Sequence, residues 1–303
     1  MWFSGRRPAE ANVPTRQSVA AGRSRRAVLA MQRHWLKHGV VITGDDLQPA
    51  REALERDGHV TVRELIGADE VARFRSLVRR ALTNAERLEL PPGNDVYQRA
   101  FDQYMNLWQV DEDMCAVSMH SGLADVAARL LGVDDVRLYH DQALIKRAGG
   151  GHTPWHQDQW YWPLDTDRTI TMWLPLHPLD PQMGDLEFVA GSQGGPLGDA
   201  PISDAADDHY DKLVAERGLT RQRIGRLNAG DASFHLGWTL HRATPNETTQ
   251  DREVMTIIWF AEGARVLAPD NPGRQLDLAR WLPGCQPGEL AASPLNPVVS
   301  VTG

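Results

Sequence analysis

At 303 residues, 42% hydrophobic and 24% charged, the chain has the composition of a globular protein with room for a substantial core. No apolar run approaches the roughly 18 residues that span a bilayer. Two distant cysteines, Cys115 and Cys285, build neither a disulfide framework nor a C-x-x-C zinc site, so a reducing, cytoplasmic setting is expected. Charge is uneven: residues 1–43 hold seven Arg and one Lys against the single acid Glu10, a net +7, and since the whole chain carries −8, residues 44–303 carry −15. So acidic a body argues against nucleic acid as a partner.

Residues 1–43, rich in Arg, Ala and Ser, offer no apolar face to bury. They read as a disordered basic extension, with a composition that an organellar transit peptide shares. One domain is expected over 44–303. "DDLQPAREALERDGHVTVREL" predicts a helix, a stop at Gly58, then a strand alternating through Val60, Val62 and Leu65. "GADEVARFRSLVRRALTNAERL" predicts a second helix with Val71, Phe74, Leu77, Val78, Ala81 and Leu82 on one face. "SGLADVAARLLG" predicts a third, stopped by Gly132. Beyond it come short β-rich runs at 136–146, 169–176, 186–189, 232–236 and 253–260, separated by Gly, Pro and Asp. That pattern predicts a sandwich or barrel rather than a doubly wound sheet. The acid-rich stretch 197–222 reads as a long, partly helical insertion with few buried contacts, in the manner of a lid.

Chemistry concentrates in "TPWHQDQWYWP", residues 153–163, which holds three of the ten tryptophans around His156 and Asp158. Side chains two apart on a strand share a face. An imidazole and a carboxylate there, joined by a second histidine, make the facial triad of a non-haem iron site. His241 leads the candidates for that second histidine; His235, His152, His177 and His209 compete on spacing alone. Arg252 opens the strand "REVMTIIWF" and shares a face with Val254, Thr256, Ile258 and Phe260. A guanidinium heading an apolar face is costly without an anion, so it either captures a carboxylate ligand or forms a buried ion pair with one of the chain's acids. In "TITMWLPL", Ile170, Met172, Leu174 and Leu176 form one face; Thr169, Thr171 and Trp173 form a less apolar one suited to lining a cavity.

Four blocks resemble the phytanoyl-CoA dioxygenase family of iron(II)/2-oxoglutarate oxygenases: "REALERDGHVTVRELIGADEVARFR", "DQALIKRAGGGHTPWHQDQWYW", "TITMWLPLHPLDPQMGDLEFVAGSQ", and "NAGDASFHLGWTLHRATPN" with Arg252. The resemblance implies a mainly β fold with flanking helices, a double-stranded β-helix of the jelly-roll, cupin-like kind. It implies His156, Asp158 and His241 as iron ligands and Arg252 as the clamp on the far carboxylate of 2-oxoglutarate. Gln142 and Trp173 match positions lining the cosubstrate pocket, and Gln103 in "FDQYMNLW" falls near another. Dioxygen is the implied co-reactant and ascorbate an accessory reductant. The chain departs from the family where Met183-Gly184 and Gly191-Ser192-Gln193 form turns, and where Ala243 replaces a common Ser. The implied activity is oxidation, in the first instance hydroxylation, of a small organic molecule in specialised metabolism. Epimerisation, desaturation and ring closure start from the same chemistry, whereas Asp158 occupies the position a halogenase leaves to halide. Trp160 and Trp162 share the phase of His156 and Asp158 if the strand continues, and with Trp155 they are the expected substrate contacts. The rivals are a metal-dependent isomerase on the same barrel and a non-catalytic ligand-binding barrel.

Overall fold

The computed structural model describes residues 47–89, 100–199 and 201–299. The expected basic extension, and the domain start at 44, lie outside the described residues.

Two helices and a strand open the fold. Helix α1 (Gln48–Asp57) ends at Gly58, whose φ of 82° and N–H bond to the Leu54 carbonyl make a left-handed stop. Strand β1 (His59–Val62) follows and is shorter than expected, because Leu65 lies in the next turn, fully buried. Helix α2 (Ala68–Leu82) buries Val71, Phe74, Leu77, Val78 and Ala81, the face expected of it. Its first turn holds Asp69 and Glu70 and its last Arg79 and Arg80, which complements the helix dipole. Three elements follow that the hydrophobic pattern did not announce: β2 (Asp102–Met105), α3 (Leu107–Val110) and α4 (Glu112–Ser118). Helix α5 (Ser121–Leu131) is stopped by Gly132.

The remaining chain builds two facing antiparallel sheets. Its strands are β3 (Val136–Lys146), β4 (Thr153–His156), β5 (Thr169–Pro175), β6 (Leu186–Ala190), β7 (Thr220–Arg223), β8 (Ala232–Leu236), β9 (His241–Ala243), β10 (Arg252–Ala261) and β11 (Val298–Val299). The major sheet runs β1-β8-β5-β10-β3-β11 with β2 also on β3; the minor sheet runs β4-β9-β6-β7. This is the expected jelly roll with helices outside it. Alternation along β5 and β10 divides its two environments. Ile170, Met172, Leu174, Leu176, Met255, Ile257 and Trp259 join the core shared with α2 and α5, packing against residues such as Phe74 and Leu123. Trp173 and Val254 lie on the opposite, interior face, and so do Ile258 and Phe260.

The 197–222 insertion departs from a loosely held lid. Residues Asp204–Glu216 form α6, and its Ala206, Tyr210 and Val214 are buried against Trp155, Val189 and Leu240. Residues 220–223 are strand β7, hydrogen-bonded to β6. The spacing i, i+4, i+8 of the three buried residues is a narrow helical stripe within an acidic sequence.

Buried Asp141 ties the helical layer to β3. It accepts hydrogen bonds from the backbone N–H groups of Leu107 (2.6 Å) and Trp108 (3.0 Å) and from the Ser118 hydroxyl. Replacing Asp141 with Ala orphans three buried donors, the two backbone N–H groups and the Ser118 hydroxyl, each costing about 1–3 kcal/mol unless it finds another acceptor. Urea unfolding of Asp141→Ala should therefore show roughly 2–4 kcal/mol lost; an unchanged midpoint would contradict this anchoring role.

Candidate metal centre

Strand β4 ends at His156, and Gln157 stays extended (φ −118°, ψ 119°) before a single 3₁₀ turn, Asp158–Trp160. One extended residue is enough to bring His156 and Asp158 to the same side. Strand β9 begins with His241, which pairs directly with His156 across the minor sheet. Their rings lie 4.1 Å apart, and one donor atom from each of His156, Asp158 and His241 falls within 4.8 Å of the others. His156 Nε2 is 3.6 Å and His241 Nε2 4.0 Å from Asp158 Oδ1. Each imidazole is oriented by a backbone carbonyl: His156 Nδ1 donates to Pro154 O (2.8 Å) and His241 Nδ1 to Thr239 O (2.9 Å). That fixes the tautomer and turns both Nε2 lone pairs toward Asp158.

Burial lowers His156 from 6.5 to about 4, with His241 as a second cause, and lowers His241 to about 4, with His235 as a second cause. Burial opposes ionisation of Asp158, but His241, His235 and His156 outweigh it and hold the carboxyl well below the usual range. Two neutral imidazoles and one carboxylate are the donor set a divalent iron prefers. The competing histidines have other surroundings. His235, on β8, directs Nε2 at Asp158 Oδ2 (3.4 Å), the oxygen away from His156 and His241. His152 pairs with Asp207, His177 bonds Pro178 O and the Glu253 N–H, and His209 lies against Tyr210.

The residues proposed for the cosubstrate converge on one interior stretch of β2, β3, β5 and β10. Thr256 stands between Gln142 on β3 and Trp173 on β5, and Gln103 on β2 donates to the Gln142 side-chain oxygen. The Arg252 guanidinium lies 5.2 Å from the Trp173 ring. Arg252 is buried, donates to Gly184 O, and takes part in no ion pair among the described residues. The alternative of a buried ion pair with an acid is not formed among the described residues. Burial lowers its pKa to about 9, with the field of Asp185 opposing. Arg252 Nε and Thr256 Oγ1 are buried without hydrogen-bond partners. Lys146, which the sequence did not single out, faces Arg252 across the strand pair, also buried, its amine on the Gly151 (2.6 Å) and Thr244 (3.1 Å) carbonyls, and burial, then the charge of Arg252, lowers its pKa to about 6. Gly184 permits this crowding: a Cβ there would meet Lys146 Cδ at 2.9 Å and Arg252 Nη1 at 3.0 Å. Ala243 packs in the apolar cluster beside Trp173.

Of the aromatic expectations, Trp155 needs correction, and the shared phase expected of Trp160 and Trp162 is not what places them. Trp155 has the opposite parity to His156 and points out of the barrel into the α6 layer, where its indole donates to Asp211 (2.7 Å) beneath the Arg242 guanidinium. Because β4 stops at His156, the period of two does not reach Trp160 or Trp162. Trp160 is half-buried, donates to Asp199 (3.1 Å) and meets the Tyr161 ring edge-on. Trp162 is buried in a cluster with Tyr139, Ile258 and Phe260. Thr171, on the face the sequence marks as suited to lining a cavity, lies 3.4 Å from Asp158 Oδ2, and His140, which the sequence reading missed, has an imidazole that feels the Asp158 charge.

The family profile described as phytanoyl-CoA dioxygenase (PhyH) matches residues 54–254. Among curated proteins, a probable alpha-ketoglutarate-dependent hypophosphite dioxygenase of Stutzerimonas stutzeri is 22% identical over 71% of this chain and 78% of its own length. An ectoine dioxygenase of Sphingopyxis alaskensis is 27% identical over 55% of this chain and 56% of its own. Among solved structures, the epimerase SnoN from nogalamycin biosynthesis superposes with a TM-score of 0.69 at 22% identity, covering 84% of this chain and 98% of that one. The carbocyclase SnoK from the same biosynthesis gives 0.68 at 22%, covering 86% and 100%.

Two outcomes follow. In anaerobic iron(II) titrations, His156→Ala, Asp158→Ala and His241→Ala should each lose tight binding while His235→Ala keeps it; the reverse pattern for the last two would overturn the assignment. The metal-free protein should also lose stability in mild acid. The folded chain keeps both imidazoles neutral down to about 4, while the unfolded chain takes up protons below 6.5. Their stabilisation is complete above pH 6.5 and is lost as the pH falls toward 4, so the melting temperature should decline across that window. A flat melting profile there would contradict the buried, neutral pair.

Proposed function

The chain belongs to the phytanoyl-CoA dioxygenase family and is an iron(II)- and 2-oxoglutarate-dependent dioxygenase, and from that premise we propose that it hydroxylates a small organic molecule in specialised metabolism. The observation that carries the cosubstrate is Arg252: a buried cation without an ion pair, on the same interior face as Gln142 and Trp173. Such a charge is costly unless a ligand neutralises it, and its planar fork suits a carboxylate.

His156, Asp158 and His241 would hold the iron, which supplies dioxygen activation coupled to oxidative decarboxylation of 2-oxoglutarate. The chain's own residues do the rest. The backbone carbonyls of Pro154 and Thr239 keep the ligand tautomers in place. Arg252 would take the far carboxylate of the cosubstrate, with Gln142, Gln103 and Trp173 bounding its pocket. His235, facing Asp158 Oδ2, keeps that carboxylate from rotating. Apolar packing by Trp162, Ile258 and Phe260 keeps water from this end of the barrel. Two distant cysteines and the absence, among described residues, of any helix long and apolar enough to cross a membrane support a cytoplasmic setting. Since SnoN is named an epimerase and SnoK a carbocyclase, product analysis decides the outcome.

The first test is anaerobic addition of iron(II) and 2-oxoglutarate. A visible charge-transfer band supports the oxygenase; its absence favours an isomerase or a binding barrel. Hydrogen bonds to charged groups contribute about 1.5–3 kcal/mol, so Arg252→Gln should weaken 2-oxoglutarate roughly 10- to 150-fold while leaving iron affinity unchanged. An unchanged oxoglutarate constant beside a sharply lowered melting temperature would make Arg252 a structural residue instead.

A further inference from the structure

Beyond the cosubstrate stretch, β3 carries an irregularity that aims two consecutive side chains inward. In its pairing with β10, Ile258 faces His140 and Trp259 faces Leu138, so Tyr139 is an extra residue in a β-bulge. On either side of the bulge the outward-facing positions are Leu138, in the core beneath the helices, and Asp141, bonded to α3. Tyr139 and His140 are thereby both turned to the interior, beside Ile258 and Trp162. Bulges are enriched next to active sites because they re-aim a side chain in this way.

The chain's last described helix, α7 (Pro272–Trp281), meets this bulge. It lies against the turn that starts at Asp158: Asn271 donates to Trp160 O (3.2 Å), and a Cβ on Gly273 would touch the Tyr161 and Trp160 rings. From α7, Asp277 accepts from the Tyr139 hydroxyl (3.0 Å) and from Trp281. Trp281 in turn lies 5.3 Å from the His140 ring. Two features of this cluster lack an internal explanation. Asp277 takes part in no ion pair among the described residues; the field of Arg280 favours its ionisation and that of Asp158 opposes it. His140, 5% exposed, has a buried Nδ1 with no hydrogen-bond partner.

We infer that Asp277, braced by Tyr139 and flanked by His140 and Trp281, anchors a protonated amine of the substrate at the end of the barrel remote from Arg252. The inference deepens, and rests on, the oxygenase reading of the centre. Its logic mirrors that of Arg252: a largely enclosed charge without a counter-ion is retained where a ligand brings the opposite charge. With iron and 2-oxoglutarate bound, Asp158 and Arg252 have their partners, while Asp277 has two hydrogen-bond donors and the field of Arg280 but no ion pair among the described residues. An ammonium also suits the aromatic cluster of Trp281, Tyr139 and Tyr161, because ring faces attract a cation. Burial raises Asp277 to about 7, against the Tyr139 hydrogen bond, the cost expected of a carboxylate awaiting its partner. His140, pushed by burial to about 3, is a neutral imidazole that accepts or donates a further hydrogen bond without repelling a cation. An anionic substrate is disfavoured here, and a neutral hydroxyl gains no charge pairing.

The test compares benzylamine, benzyl alcohol and benzoate as probes, titrated calorimetrically into the anaerobic iron(II)/2-oxoglutarate complex of wild type and Asp277→Asn. Charge pairing should make benzylamine bind about tenfold or more tighter than the alcohol in wild type, with benzoate weakest. In Asp277→Asn, which keeps an acceptor for Tyr139, the amine-to-alcohol ratio should fall to about one. Equal binding of amine and alcohol to wild type overturns the inference. So does a preference that survives in Asp277→Asn, because it would then come from amine coordination to iron. The visible charge-transfer band separates this from the oxygenase reading. Without a band that reading fails; with a band but no amine preference, only the anchor does.

Discussion

The centre depends on one register: His156 opposite His241 across β4 and β9. A slip of one residue in either strand would turn its imidazole to the other face and dissolve the donor set. Yet the two strands are only four and three residues long, too short to specify pairing alone. What secures them lies on the outer face. Trp155, adjacent to His156, is held by α6 through its N–H to Asp207 and its indole to Asp211, and is capped by Arg242, the residue after His241. Arg242 is itself fixed by Glu187 (2.7 Å) on β6. The Leu240 N–H donates to the Ser192 hydroxyl (2.8 Å), which pins the approach to His241. The acid-rich insertion therefore works as a buttress: its helix grips the back of the strand whose front carries a ligand.

Charge follows a similar economy along β3 and β10. Arg252 and Lys146 are paired across these strands at one end, Asp158 among three imidazoles lies at the middle, and Asp277 faces the bulge at the other. Burying any of these charges costs folding energy. Lys146 meets that cost by giving up its charge, since burial and Arg252 lower its pKa to about 6, and its amine donates to backbone carbonyls; Asp158 meets it with histidines. Arg252 meets no acid among the described residues, and Asp277 meets two hydrogen-bond donors and the field of Arg280 but no ion pair. Acids outside the barrel interior behave differently: buried Glu253 is met by Arg75 and Arg79, and Asp111 and Asp113 by Arg80. The contrast between satisfied pairs outside and unmatched charges inside separates what supports the barrel from what it is built to bind.

Much of this was legible in the sequence because the major strands are buried on both faces. The runs at 136–146, 169–176 and 253–260 could be read with their boundaries, and parity alone divided Thr171 and Trp173 from Met172 and Leu174. Parity also placed Trp155 opposite His156; grouping the aromatics of 153–163 as one unit obscured it. Trp160 and Trp162 eluded the pattern for a different reason: a 3₁₀ turn has no period of two, and nothing local announces where a strand yields to one. The bulge at Tyr139–His140 is a property of pairing with β10, invisible along β3 itself. Helix α7 buries no residue completely, so it carries no apolar stripe to betray it, and Asp277 looked like any surface acid.

These differences in legibility track a division of labour. The groups proposed for iron and 2-oxoglutarate stand on strands or the turn leaving one, and their positions are over-determined by sheet register and by core on both sides. The groups proposed for substrate come from a bulge and from a helix resting on the barrel by partly buried contacts such as Leu278 and Trp281. Precision of geometry matters most where electrons move, and strands supply it. Recognition of a substrate needs only a complementary charge and aromatic walls, and a peripheral helix supplies these at little cost to the core. If α7 carries the substrate anchor proposed above, substitutions in it reach His156, Asp158, His241 and Arg252 only through packing and charge, because no hydrogen bond of those four residues reaches that helix among the described residues.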